Sequence, residues 1–171
     1  PGLAQQVALL VGFFVVSSVL ELPWGWYRTF QLEARFGFNR SSLGLWLSDQ
    51  AKGLLLGAVL GLPLAAALLW LMNSTGHTWW LWGWGLWAGF NLLLLVLYPT
   101  VIAPLFNQFQ PLTDATLRTR IETLLQRSGL RAQGIYVMDG SKRSTHANAY
   151  FAGLGPAKRV VFFDTLLAQL T

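Results

Sequence analysis

The charged residues of this 171-residue chain are confined to two stretches, and that confinement restricts its fold more than any other feature. No Asp, Glu, Lys or Arg occurs from Pro1 to Leu20 or from Gly53 to Thr113, and all of them lie within 21–52 and 114–164. With 54% hydrophobic and only 11% charged residues, the composition lies outside the range of an ordinary soluble domain. The pattern predicts membrane spans separated by a loop and followed by a water-facing region.

Three apolar runs have the length that a transmembrane helix requires, about 20 residues for a hydrocarbon core about 30 Å thick. The predicted spans are Leu3–Leu20, Gly53–Met72 and Trp79 to about Val101. We expect Pro99 and Pro104 to bend or end the third helix. A cleaved signal peptide is the alternative for the first run. That run lacks a basic start and a clear small-residue cleavage site, so a true span is favoured.

The orientation in the membrane follows from the loops. The segment 21–52 carries four Lys or Arg residues, whereas the loop 73–78 carries none. Because positive charge accumulates on the cytoplasmic side, the segment 21–52 and the C-terminal region are predicted to be cytoplasmic. Within this segment Leu43, Trp46 and Leu47 share a helical face after Ser41 or Ser42, which predicts a short helix lying on the membrane surface.

Five tryptophans crowd the start of the third span, at positions 79, 80, 82, 84 and 87. An interfacial aromatic belt is the plainer interpretation, since the indole N–H remains in the headgroup region. The alternative is a wall for a lipidated substrate, because Trp80, Trp84 and Trp87 stack along one helical face.

After Pro111 the pattern is that of an α+β domain. Thr113 or Asp114 is expected to cap a helix that Gly129 ends, and Asp164 to cap another helix. Three strands are predicted between them, with turns at Asp139-Gly140 and Gly155-Pro156: Ile135–Met138, Asn148–Leu154 and Arg159–Phe163.

Several function classes are disfavoured by composition. The absence of cysteine excludes disulfides, thiol catalysis and cysteine-bound metals, and the two histidines, His77 and His146, lie far apart in sequence. The net charge of +5 is placed beside the spans, where membrane lipids explain it better than nucleic acid does. We therefore expect no nucleic-acid partner.

The chain resembles the CAAX prenyl protease type 1 family of integral-membrane zinc metalloproteases. The resemblance rests on SKRSTHANAYFAG from Ser141, the K-R strand that follows and F-D-T-L-L from Phe163. It extends to Y-R-T-F, L-E, F-G-F-N and the D-x-x-K of Asp49 to Lys52, so it spans nearly the whole chain. The three predicted transmembrane helices would then be followed by the first part of an α+β, zincin-like protease domain.

In the family, zinc is held by an H-E-x-x-H helix and a later glutamate, none of which is in these residues. Because the chain lacks an initiating methionine and ends inside a predicted helix, we expect a fragment. Its expected parts are a membrane region, 1–106, with a cytoplasmic loop, 21–52, and the N-terminal part of a truncated metalloprotease domain, 107–171. Zinc would then be bound by residues absent from this chain, which alone would lack the catalytic glutamate.

The resemblance also implies a substrate-binding strand, with Asn148, Ala149 and Tyr150 lining the cleft. From the residues alone, an ordinary turn asparagine at the start of a strand is the favoured interpretation of Asn148. His146 is interpreted as structural, or as a residue that orients Asn148 or touches substrate. Two basic pairs have plain interpretations, Lys142 and Arg143 as solvated charge or an ion pair, and Lys158 and Arg159 as hairpin gatekeepers.

Three functions follow from these observations. The leading one is a multi-pass membrane zinc endopeptidase that cleaves CAAX-type or other membrane-associated peptides, in the bacterial inner membrane or the endoplasmic reticulum of a eukaryote. Its partners would be a peptide or protein substrate, lipidated or not, and membrane lipids. The alternatives are a noncatalytic membrane anchor or peptide-binding fragment, and a channel or transporter, although no charged residue marks an ion path within a span.

Overall fold

The structure is a computed structural model that describes residues 2–130, 132–154 and 158–170. Its contacts divide the chain into two units, one formed by residues 1–37 and 42–91 and the other by residues 38–41 and 92–171. The third long helix therefore begins in the first unit and ends in the second.

Three long helical stretches dominate the first 106 residues, and each is long and apolar enough to cross a membrane. The first is α1, which continues into a π-helical turn, the second is the single helix α2, and the third combines four helical segments. Their bounds are α1 Leu3–Tyr27 with Arg28–Glu33, α2 Leu43–Ser74, and Gly76–Thr78, α3 Trp79–Leu97, Tyr98–Ile102 and α4 Ala103–Phe106. The predicted number of spans is confirmed.

The prediction of a separate surface helix after Ser42 is wrong. Ser42 does begin a helix, because its Oγ accepts a hydrogen bond from the amide of Leu45 at 3.2 Å. No proline lies between Ser42 and Gly53, so nothing stops that helix before the span, and α2 runs 32 residues without a break. The predicted surface helix is the first part of α2.

The first two helices pack as an antiparallel pair within the first unit. Near one end a Cβ on Gly25 would lie 3.6 Å from the Trp46 ring, and Phe30 meets that ring edge to face at 6.2 Å. At the other end the side-chain amide of Asn73 donates to Oε1 of Gln6 at 3.1 Å. Small and polar residues at the contact, with apolar side chains outside, are typical of helix packing in lipid.

A four-stranded sheet organises the second unit. Its strands are β1 Phe109–Pro111, β2 Gly134–Met138, β3 Ala149–Ala152 and β4 Arg159–Phe163. They lie in the order β1-β2-β4-β3, with β2 and β4 parallel and the outer pairs antiparallel. Sequence patterns missed β1, which is three residues long, and extended β3 at both ends. The predicted turn at Gly155-Pro156 lies outside the described residues.

Two helices, α5 Ala115–Arg127 and α6 Asp164–Leu170, cover one face of this sheet. Asp114 caps α5 as predicted, since its Oδ1 accepts from the amides of Thr116 and Leu117 at 2.9 and 3.0 Å. Gly129 ends the turn with a φ of 67°, which favours glycine. The buried centre consists of Leu112, Ile121, Ile135 and Val160. The predicted class, membrane helices followed by an α+β region, is confirmed.

Candidate functional site

Strand β3 has one open edge, because it pairs only with β4 among the described strands. The amide of Phe163 donates to the carbonyl of Asn148 at 2.9 Å, which fixes the phase of this antiparallel pair. Backbone groups alternate between the two sides of a strand, so those of Tyr150 face β4 and those of Ala149 and Phe151 face the open edge. An extended peptide could add to that edge through main-chain hydrogen bonds.

Asn148 stands at the start of this edge. Its Oδ1 accepts from the amide of Ala149 at 2.8 Å, which is the local bond expected of a turn asparagine. Within residues 2–130, 132–154 and 158–170, no hydrogen bond uses the Nδ2 donors of Asn148, and the side chain is exposed. Asn148 therefore bonds the amide of Ala149, which is the first amide that faces the open edge. Its own Nδ2 donors remain exposed.

Tyr150 points to the face of the sheet opposite α5. Its ring meets Phe163 edge to face at 6.3 Å, and its hydroxyl lies 4.0 Å from the sulfur of Met138. Burial, with a smaller contribution from Tyr98, raises the pKa of the Tyr150 hydroxyl to about 12. The side chain is therefore neutral near pH 7, where its hydroxyl neither gains nor loses a proton, and its role is packing.

The loop before β3 is fastened to the first turn of α6. The Asp164 carboxylate accepts from the amide of Ser141 at 2.8 Å and from its hydroxyl at 2.5 Å. The Thr165 hydroxyl donates to the carbonyl of His146 at 2.8 Å. Asp164 is thus at the start of a helix, as predicted, and also holds a loop that the sequence did not connect with it.

Residues 38–41 brace the same loop from another part of the chain. Phe38 stacks on the His146 ring with centroids 4.2 Å apart, and its carbonyl accepts from the amide of Thr145 at 3.1 Å. The amide of Arg40 donates to the carbonyl of Arg143 at 3.0 Å. Among the described residues, no hydrogen bond joins the His146 ring to Asn148, and the ring serves as a packing surface for Phe38.

Two arginines near β3 have partners that sequence patterns did not indicate. Arg143 donates to Oδ1 of Asn107 at 2.7 Å and to the carbonyl of Phe106 at 2.6 Å, so it is neither merely solvated nor only an ion-pair partner. Arg159 donates to the carbonyl of Pro99 at 3.0 Å, a contact that the gatekeeper prediction does not include. Both contacts join residues at least 36 positions apart, beyond the reach of local patterns.

No group of three or more His, Cys, Asp or Glu residues that could hold a metal ion exists in the part of the chain that the structure describes. The His146 ring is stacked on Phe38, and His77 lies in the short helical turn before α3. The described residues therefore do not fit a zinc site.

Comparison with protein families decides the relationship. Residues 1–108 match the family model described as CAAX prenyl protease N-terminal, five membrane helices, and residues 111–171 match peptidase family M48. The chain belongs to the CAAX prenyl protease type 1 family. As a family member with three helices long and apolar enough to span, it is an integral membrane protein.

Relatives of this CAAX prenyl protease family member include CAAX prenyl protease 1 homologues from rice, Oryza sativa subsp. japonica, and from Homo sapiens. The rice homologue is 39% identical over 96% of this chain and 39% of its own length. The Homo sapiens homologue is 35% identical over 98% of this chain and 35% of its own length. The crystal structure of S. mikatae Ste24p matches with a TM-score of 0.90 at 37% identity, over 98% of this chain and 39% of that chain. The chain thus spans between a third and two fifths of the length of these proteins.

Proposed function

We propose that the protein containing these residues is a membrane-embedded zinc metalloendopeptidase that cleaves CAAX-type or other membrane-associated peptides. The observation that supports the proposal most is the open edge of β3, which lies next to Asn148 in a chain of this protease family. The names of the relatives, CAAX prenyl protease 1 homologues, support the choice of substrate class. Zinc would be held by residues outside these 171.

The part played by this chain is to anchor the enzyme and to hold the substrate backbone. Strand addition at β3 uses main-chain groups, so it fixes an extended peptide without requiring one particular sequence. In this proposal Asn148, Ala149 and Tyr150 line the cleft, Asn148 bonding the peptide backbone through Nδ2 and Tyr150 shaping one side. His146 acts behind them through its contact with Phe38.

The contacts around the preceding loop support this role, because a strand that aligns a scissile bond has to be rigid. Asp164 holds Ser141, Thr165 holds the backbone of His146, and Arg143 holds the end of α4. These contacts fix the approach to β3 before any substrate arrives. A preordered strand loses less conformational entropy when a peptide pairs with it.

The proposed arrangement assigns residues 1–106 to the membrane region and 107–171 to the first part of the protease domain. The segment 21–52 and the C-terminal region would face the cytoplasm, in a bacterial inner membrane or in the endoplasmic reticulum of a eukaryote. Lysine and arginine on that side would contact anionic lipid headgroups.

The test uses the full-length protein reconstituted in liposomes and a farnesylated peptide ending in a CAAX sequence, with cleavage followed by mass spectrometry. We expect cleavage that stops after treatment with a zinc chelator and returns on addition of zinc. The matched control is the same peptide with serine in place of the farnesylated cysteine. Binding of the farnesylated peptide without cleavage would contradict the proposal and favour a noncatalytic peptide-binding protein.

A further inference from the structure

The π-helical pattern at the end of the third membrane helix leaves one backbone carbonyl without the amide that would bond it. In the π-helical turn Tyr98–Ile102, the amide of Ala103 bonds the carbonyl of Tyr98, five residues earlier. The next amide in this pattern would belong to residue 104 and would bond the carbonyl of Pro99. Residue 104 is proline and has no N–H, so that hydrogen bond is missing. Pro99 is buried, where an unsatisfied carbonyl is costly.

Arg159 supplies the missing donor. Its Nη1 lies 3.0 Å from the carbonyl oxygen of Pro99, and Arg159 is the first residue of β4. A guanidinium donor makes a stronger hydrogen bond than a neutral amide does. Because Arg159 pairs in register with Ala152, the last residue of β3, this bond joins the helix end directly to the strand pair that forms the candidate site.

A tyrosine of the neighbouring strand β2 supports the Arg159 side chain. The guanidinium carbon of Arg159 lies 5.2 Å from the centroid of the Tyr136 ring, within cation–π range. The Tyr136 ring lies back over Gly134, where an added Cβ would be only 2.5 Å from it. Gly134 is also the register partner of Arg159. Glycine at 134 thus leaves room for the ring on which Arg159 rests.

A second arginine acts on the same helix a few residues later. Arg143 donates to the carbonyl of Phe106, the last residue of α4, and to the side chain of Asn107. Helix ends leave carbonyls without intrahelical partners, so cationic donors are favourable there. Arg143 precedes β3 and Arg159 pairs with its last residue, so the two arginines bracket the strand.

We propose that Arg159 is a positioning residue that sets where β3 lies relative to the C-terminal end of the third membrane helix. It does so by donating to the Pro99 carbonyl the hydrogen bond that Pro104, which has no N–H, cannot donate. Arg143 secures the following turn in the same way. The consequence for catalysis rests on the proposed function: a substrate held in the membrane by its lipid needs a strand at a fixed distance from the bilayer. A peptide without a lipid does not.

The contact is tested without any activity measurement by hydrogen exchange of the full-length protein in detergent. Arg159→Gln should raise the exchange rates of amides in 101–107 about tenfold or more, since a hydrogen bond to a charged donor is lost. Pro104→Ala restores an amide at 104 that can bond Pro99. The double variant should therefore return toward the wild-type rates. Arg118→Gln is the control, because Arg118 contacts Glu122 on the exposed side of α5.

Unchanged exchange in Arg159→Gln would overturn the proposal, and so would a double variant whose effects simply add. If Arg159→Gln does not accumulate as folded protein, the same comparison is made on folded yield. Recovery in the Pro104→Ala background supports the proposal, and equal loss in both backgrounds overturns it. Arg159→Lys, which keeps one charged donor, should show an intermediate exchange rate.

The positioning role is tested by kcat/KM for the farnesylated peptide divided by kcat/KM for the unlipidated one. We expect Arg159→Gln to lower this ratio at least threefold and Arg159→Gln with Pro104→Ala to restore it. A purely structural prop would lower both values by one factor and leave the ratio unchanged, which would contradict positioning. If the wild type cleaves neither peptide, the proposed function fails, while hydrogen exchange still decides the contact.

Discussion

The carboxylate of Asp164 accepts two hydrogen bonds from Ser141, one from its amide at 2.8 Å and one from its hydroxyl at 2.5 Å. Asp164 opens α6, and Ser141 lies in the short helical turn that follows β2. This pair therefore ties the loop that leads into β3 to the start of α6.

Removing the Ser141–Asp164 contact should loosen this loop. Asp164→Asn and Ser141→Ala should each lower the free energy of unfolding by about 1 kcal/mol, below the roughly 1.5–3 kcal/mol of hydrogen bonds to charged groups, because the pair is exposed to solvent. The measurement is a double-mutant cycle by thermal unfolding in detergent. Strictly additive effects of the two substitutions would show that the contact contributes nothing.

Asn148→Ala in the full-length protein should lower turnover while its zinc content remains that of the wild type. The side chain loses both the acceptor for Ala149 and the donors proposed for the substrate backbone. Asn148→Asp is the matched control for local structure, since it keeps an oxygen for the amide of Ala149, although it replaces the donors with a negative charge. Equal turnover in the wild type and both variants would remove Asn148 from the cleft.

The buried hydroxyl of Tyr150 should make the free energy of unfolding fall more steeply with rising pH in alkaline solution. Burial raises its pKa from 10.0 to about 12 in the folded protein, so the folded state holds the proton more tightly than the unfolded chain. The stabilisation is fully present below about pH 10 and is lost as the pH rises toward 12. Tyr150→Phe should therefore lose stability less steeply between pH 10 and 12 in thermal unfolding. Parallel curves for the two proteins would contradict the burial of this hydroxyl.

Gly134→Ala should displace the Tyr136 ring, because the new Cβ would lie 2.5 Å from it. We expect a loss of about 1–3 kcal/mol in the free energy of unfolding, as for other overpacked sites. In a Tyr136→Ala background the same substitution should cost much less. A loss of equal size in both backgrounds would show that the ring is not what the glycine accommodates.

Features set by local chemistry could be predicted from the sequence. The absence of charge over long runs indicated three spans, because a charged side chain in lipid is expensive. Asp114 and Gly129 marked the ends of α5, and the apolar run from Arg159 to Phe163 gave β4 with the observed bounds. In each case the decisive residues lie within the element that they predict or within two residues of its ends.

Features set by distant contacts could not be predicted. Arg159 and Pro99 are 60 residues apart, and only the folded sheet brings them together. The same holds for Phe38 and His146, whose stacking gives the F-G-F-N segment a role that its local sequence does not reveal. Strand β1 was missed because three residues ending in proline give no alternation to detect.

If a substrate peptide pairs with the open edge of β3, as we propose, amide hydrogen exchange in the full-length protein shows the pairing at individual residues. The ligand is a farnesylated CAAX peptide with a non-hydrolysable bond, added at saturating concentration. We expect the Phe151 amide, which faces the open edge, to exchange at least about tenfold more slowly with peptide bound. The Tyr150 amide, already paired with β4, is the internal control. An unchanged exchange rate of the Phe151 amide while the peptide is bound would contradict pairing at the open edge of β3.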